Sequence, residues 1–105
     1  MRCLLTARLD TQKGNQLIGS GRIAQLLQDA LADAKPEAAY FAPSGGRRTI
    51  FLIVDLTDAS ELVTKLEPLW LATGAEVEII PVMGREDLER GMQALGPNLS
   101  KYTGG

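Results

Sequence analysis

The sequence predicts an α+β domain whose elements follow the order β-α-β-β-α-β, with a short helix at the end. Two observations carry this prediction: four segments have strand character, and the segments between them repeat apolar residues at helical spacing. Two split β-α-β units in this order give a four-stranded antiparallel sheet with two helices on one face. The first and third strands are then central, and the second and fourth are edges.

The first strand and the helix after it are predicted from a change in periodicity. Residues 2–9 alternate between two faces, with Cys3 and Leu5 on one and Leu4 on the other. Asp10 can cap a helix that continues toward residue 35. Residues 19–21 interrupt it with two glycines, each of which costs about 1 kcal/mol relative to alanine inside a helix. We therefore expect a break there.

The second half of the chain begins with a predicted hairpin. Residues 38–42 and 49–56 are strand-like, and a glycine pair lies between them. Glu61 lies at the spacing of a capping box and starts the next helix. Residues 75–83 form the fourth strand, at an edge because Pro81 cannot donate to a sheet. A short helix over residues 85–95 ends the predicted domain, 1–96, and residues 97–105 are predicted to be a polar tail.

Composition excludes several classes of function. The 105 residues carry 11 basic and 13 acidic side chains, and this net-negative balance disfavours nucleic-acid binding. Histidine is absent and cysteine occurs once, so we expect no metal site and no cofactor. No apolar run approaches the length of a membrane span, so we expect no membrane partner. The default location is the cytoplasm, where a lone thiol stays reduced.

The third strand is apolar on both faces, which an antiparallel sheet with one wet face does not need. Ile50, Leu52 and Val54 lie on one side, and Phe51 and Ile53 lie on the other. Leu4, Ile80, Val82 and either Phe41 or Tyr40 add apolar surface to that second face. Burying these four side chains is worth roughly 6–12 kcal/mol, so the second face is predicted to be covered. A second copy of the sheet can cover it. We therefore expect a homodimer with an isologous interface through the open face.

Several segments together resemble the dimeric α+β barrel superfamily of ferredoxin-like domains. They are the opening strand over residues 1–6, the hairpin from 35–41 to 51–55, and residues 67–70 through 75–83. Within that superfamily the chain is most similar to the muconolactone-isomerase-like group and its short bacterial relatives. The resemblance implies a barrel of two sheets whose lumen holds a small molecule. Some relatives are cofactor-free isomerases or monooxygenases, and their enzymes often place a histidine in the pocket, which this sequence lacks.

The candidate catalytic residues are Arg8, Asp55 and Tyr40, with support from Glu78. Arg8 and Asp55 lie near the C-terminal ends of the two central strands. If these neighbouring strands run parallel, the two side chains lie at the same end of the sheet and can meet. Arg8 would stabilise an oxyanion while a desolvated carboxylate moves a proton. The alternative is a charge network that only satisfies groups at the barrel rim, because buried charges are usually paired for solvation.

The candidate substrate-binding residues are Thr6, Phe51, Trp70 and Glu78. An apolar pocket with a few convergent polar groups is the usual form of a ligand site. Trp70 also lies on the apolar stripe of its helix, which equally favours packing in the core or an interface. The predicted function is binding of a small apolar metabolite, with cofactor-free isomerisation or oxygenation if it is an enzyme. The alternative is a non-catalytic structural or interaction protein whose barrel is filled by its own side chains.

Overall fold

The sheet and helices below come from a computed structural model that describes residues 1–104. Most segments with strand or helix periodicity become elements close to their predicted limits. The elements are β1 (Arg2–Arg8), α1 (Thr11–Gly19), α2 (Ile23–Ala34), β2 (Ala38–Ser44), β3 (Arg47–Asp55), α3 (Glu61–Thr73), β4 (Glu76–Pro81), α4 (Arg85–Leu95), a 3₁₀ turn (Gly96–Asn98) and α5 (Ser100–Thr103).

The four strands form one sheet in the order β2-β3-β1-β4, with every neighbouring pair antiparallel. β1 and β3 are central and β4 is an edge strand, as the sequence predicts, although β4 ends at Pro81 and not at residue 83. This is the α+β, ferredoxin-like arrangement. The prediction that β1 and β3 are parallel is wrong, because each α-helical connection carries the chain across one intervening strand and leaves neighbours opposed in direction.

One face of the sheet is covered by helices. Leu5, Leu52 and Val54 are completely buried there, together with Leu66 and Leu69 of α3. Cys3 lies on this covered face and is also buried, as its alternation with Leu5 indicates. α2, α3 and one side of every strand therefore form a single core.

The predicted helix break and hairpin are confirmed. Asp10 accepts a hydrogen bond from the Lys13 N–H and caps α1, and a turn after Gly19 separates α1 from α2. Gly45 and Gly46 both have positive φ, as a two-residue type I′ hairpin turn requires. This turn fixes the register of β2 against β3.

The start of α3 is fixed by the carboxylate that the sequence identifies as a capping group. Glu61 Oε1 accepts from the Thr57 and Asp58 N–H groups at 3.0 and 3.1 Å, and from the Thr57 hydroxyl. These hydrogen bonds, led by that of the Thr57 hydroxyl, lower the pKa of Glu61 below its ordinary value. Pro68 lies inside α3, and the helix continues past it to Thr73.

The C-terminal segment differs from its prediction as a polar tail. Helical backbone continues through Gly96 and Leu99 to Thr103, because Pro97 costs one hydrogen bond without changing the helical dihedral angles around it. Within residues 1–104, α4 packs closely on no strand and on none of α1–α3. Residue 105, the last of the predicted tail, lies outside the described residues. None of the described helices has the length and apolarity to cross a membrane.

Candidate functional site

The face of the sheet opposite the helices, here called the open face, carries most of the predicted site residues. Cross-strand pairing aligns Tyr40, Phe51, Thr6 and Glu78 in one row across all four strands. The next row toward the start of β1 is apolar, and it consists of Ala38, Ile53, Leu4 and Ile80. Three of the four predicted substrate-binding residues thus lie side by side.

A cluster of two arginines and two glutamates, here called the charge cluster, borders the polar end of the open face. Arg8 Nη1 donates to Glu78 Oε1 at 3.4 Å, and Arg47 Nη1 lies 2.9 Å from Glu76 Oε1. The arginine side chains are 27% and 25% exposed, whereas the glutamates on the edge strand are 70% and 71% exposed. The two arginine side chains are therefore the more buried members of the charge cluster, and the two glutamates are the more exposed ones.

Arg8 is the group in this cluster best placed to contact a ligand. Its one side-chain hydrogen bond to the described residues is long, at 3.4 Å, whereas Arg47 also donates from Nε to the Leu9 carbonyl at 2.9 Å. A guanidinium carries five N–H donors in a fixed fork and prefers planar carboxylates. Most of the Arg8 donors thus remain available to an anionic or carbonyl oxygen placed over Thr6 and Phe51.

Asp55 does not meet Arg8, and this part of the predicted site is wrong. Arg8 lies opposite Thr49, whereas Asp55 lies opposite Arg2 at the other end of β3. Six strand positions separate the two levels, which is about 20 Å. Asp55 Oδ1 instead accepts from the Met1 amino group at 2.8 Å. Because the central strands are antiparallel, their C-terminal ends lie at opposite ends of the sheet along the strand direction.

The two aromatic candidates fall in different places. Tyr40 lies on the open face beside Phe51, but on the edge strand, where it is 66% exposed. Trp70 lies on α3, across the sheet from the open face, and is 41% exposed. The structure therefore brings Tyr40 together with Thr6, Phe51 and Glu78, and leaves Trp70 in the helical layer.

Sequence reasoning missed two features. Arg47 joins the charge cluster although it precedes the predicted third strand, and the signal was its alternation with Thr49 and Phe51. The second is a cavity of about 540 Å³ between α2 and the β2 edge, here called the groove. Its lining is almost wholly apolar, and it consists of Leu9, Ile23, Leu27, Phe41, Ala42, Pro43, Arg48, Thr49 and Ile50.

No family model matches the chain, and no curated protein matches it. Among solved structures, the de novo designed protein Ferredog-Diesel is 10% identical, with a TM-score of 0.46, over 77% of this chain and 85% of the designed one. MupZ from Pseudomonas fluorescens is 13% identical, also with a TM-score of 0.46, over 92% of this chain and 84% of its own.

Proposed function

We propose that two copies of this chain pair through their open faces and bind a small, largely apolar molecule with an anionic or carbonyl oxygen between the sheets. The observation that carries the proposal is the composition of the open face. Apolar side chains of both central strands, Leu4, Phe51 and Ile53, remain only partly buried there. The half-buried guanidinium of Arg8 lies at their edge.

The energetic argument for pairing is the apolar surface left in water. Each side chain of this size contributes about 1.5–3 kcal/mol when it is fully removed from water, and the open face has several in adjacent rows. Ile80 is 52% exposed and extends this surface to the β4 edge. A second sheet covers the rows symmetrically and leaves a lumen bounded by the charge cluster.

The bound molecule follows from the groups that line this lumen. The ring of Phe51 and the methyl group of Thr6 favour an apolar, planar body. The fork of Arg8 favours a carboxylate or a developing oxyanion, and Tyr40 adds a phenol beside Phe51. The ligand class is thus a small aromatic or conjugated acid, or its enol.

The same site could also catalyse a reaction of the molecule that it binds. The resemblance to the muconolactone-isomerase-like group suggests cofactor-free isomerisation or oxygenation, in which Arg8 would stabilise an oxyanion. Glu78 is the one predicted carboxylate within contact of Arg8, so it takes the proton-transfer role first given to Asp55. The proposed location stays the cytoplasm, in keeping with the buried free thiol of Cys3.

A matched pair of probes tests the binding proposal. Titration calorimetry compares 2-naphthoate with 2-naphthamide, which share the ring and differ in charge. We expect the wild-type protein to prefer naphthoate, and Arg8→Gln to weaken naphthoate binding about tenfold, the value of one charge-assisted hydrogen bond. Naphthamide binding should change little.

The control variant is Arg48→Gln, which removes the guanidinium that lines the groove and leaves the open face intact. It should bind naphthoate like the wild type. Loss of binding in Arg48→Gln but not in Arg8→Gln would move the ligand to the groove and contradict the proposal. Equal, weak binding of both probes by all three proteins would favour a barrel filled by its own side chains.

A further inference from the structure

The C-terminal helical segment, residues 85–103, is here called the arm, and it projects from the domain. The radius of gyration is 17.9 Å and the longest dimension is 62 Å, whereas a compact chain of this length has a radius of about 13 Å. The Gly84 N–H donates to Asp87 Oδ2 at 2.9 Å and so caps the first turn of the arm. A projecting helix that packs closely on none of its own domain's strands and on none of α1–α3 needs another surface to stabilise it.

The arm carries one apolar stripe along its whole length. The side chains recur at alternating spacings of four and three, which places them within a narrow strip of a helix. None is buried by the chain's own domain, and they are between 36% and 77% exposed. The stripe consists of Leu88, Met92, Leu95, Leu99 and Tyr102.

The groove is a second uncovered apolar surface, at the opposite corner of the domain. The arm follows β4, whose last residue Pro81 pairs with Cys3 near the start of β1. The groove borders Leu9 after the other end of β1, and it lies on the far side of β3. The arm therefore starts at the corner of the domain opposite its own groove and packs closely on neither α2 nor β2, so a second molecule is needed to bring the two surfaces together.

The area of the open face also requires an additional contact. Four strands about 4.8 Å apart and about 24 Å long present about 450 Å² per copy, whereas a stable interface buries about 800 Å² per partner. An arm about 28 Å long and about 10 Å wide adds about 280 Å², and the surface that receives it adds a similar amount. Two exchanged arms therefore bring the interface to the usual size.

We propose that the arm is an exchanged element, whose apolar stripe packs into the groove of a second copy of this chain. The inference rests on the proposed dimer and names the contacts that complete it. Two-fold symmetry then uses each surface once, since each copy supplies one arm and one groove. The exchange covers Phe41, which is 55% exposed on the groove wall.

Two full-length variants test whether the stripe stabilises the dimer. Leu95→Asp places a charge in the stripe, and Gln93→Asp places the same charge on the same helix about 140° from the centre of the stripe. Sedimentation equilibrium should show the dimer dissociation constant of Leu95→Asp raised about 100-fold, because both copies lose a contact. The dimer dissociation constant of Gln93→Asp should stay within threefold of the wild-type value.

Photo-crosslinking identifies the surface that receives the arm. With p-benzoylphenylalanine at position 92, irradiation should give a covalent species of twice the 11.3 kDa chain mass. Its crosslinked peptide should fall within residues 23–47, which include Ile23, Leu27 and Phe41 of the groove. The same amino acid at position 93 should give little of this species.

The outcomes separate this inference from the proposed function. A dimer that persists unchanged in Leu95→Asp, with no crosslink from position 92, overturns the exchanged arm and leaves the paired sheets standing. A crosslink to the partner's own arm means a helix pair instead and also overturns it. A wild-type monomer at micromolar concentration overturns the arm and the paired sheets together, while the naphthoate titration reports on the ligand separately.

Discussion

The two faces of β3 are nearly equal in apolar character but very different in burial. Ile50, Leu52 and Val54 point toward the helices and are at most 3% exposed. Phe51 and Ile53 alternate with them on the open face and are only partly buried. The same five-residue stretch thus meets a complete core on one side and, among the described residues, no covering element on the other.

This contrast teaches that the apolar pattern of a strand indicates how much of its surface favours burial, but does not indicate which element or molecule covers that surface. The covered face obtains its burial from α2 and α3 of the same chain. The described residues leave the open face only partly buried, and they leave the apolar stripe of the arm exposed. Two variants that carry the same substitution, one on each face of β3, test this difference directly.

The largest effect is expected for Ile50→Thr on the covered face. The substitution leaves a space in the core and buries a hydroxyl, so the free energy of unfolding should fall by about 3 kcal/mol. Urea denaturation followed by circular dichroism measures it. A loss below about 1 kcal/mol would mean that the helical layer packs loosely on this face.

The same substitution on the open face, Ile53→Thr, should act mainly on association. Threonine keeps the β-propensity of the strand, so the dilute domain should lose about 1 kcal/mol of stability or less. The dimer dissociation constant should rise about 30-fold, since two side chains lose burial per dimer. Sedimentation equilibrium across a concentration series gives this value. Equal losses of unfolding free energy in both variants, with unchanged association, would remove the distinction between the faces.

The fold could be predicted because its signals are local and redundant. Alternation in β1, the glycine pair before β3 and Pro81 at the end of β4 each indicate one element, and together they are typical of a single topology. The break after Gly19 was also predictable from helix propensity alone. Such features depend on residues within a few positions of one another.

The site was less predictable because it depends on register and strand direction. Alternation along each strand is enough to place Thr6, Phe51 and Glu78 on one face, where the structure has them, but it does not give the level at which strands pair. Asp55 was therefore placed beside Arg8, although the antiparallel pairing separates them. The helix over residues 85–95 was predicted, but its continuation to Thr103 was missed for another reason: Pro97 usually ends a helix, and here the backbone continues through it.

The smallest effect concerns how α3 is held over the covered face. The Thr57 hydroxyl donates to Glu61 at the start of α3, and this bond is the largest cause of the lowered pKa of Glu61. Thr57→Val removes the donor and should lower Tm by less than either isoleucine variant, whereas Thr57→Ser should keep the wild-type value.

The pH dependence of this effect has a fixed sign. A carboxyl group with a lowered pKa in the folded state contributes stability above its unfolded pKa of about 4.3, and loses that contribution as the pH falls through the folded value. The Tm difference between Thr57→Val and Thr57→Ser should therefore be full at pH 7 and shrink below about pH 4. Thermal melts of both variants at pH 7 and at a series of values below pH 4 measure this difference. A difference that grows on acidification would show that the hydroxyl does not act through the ionised Glu61.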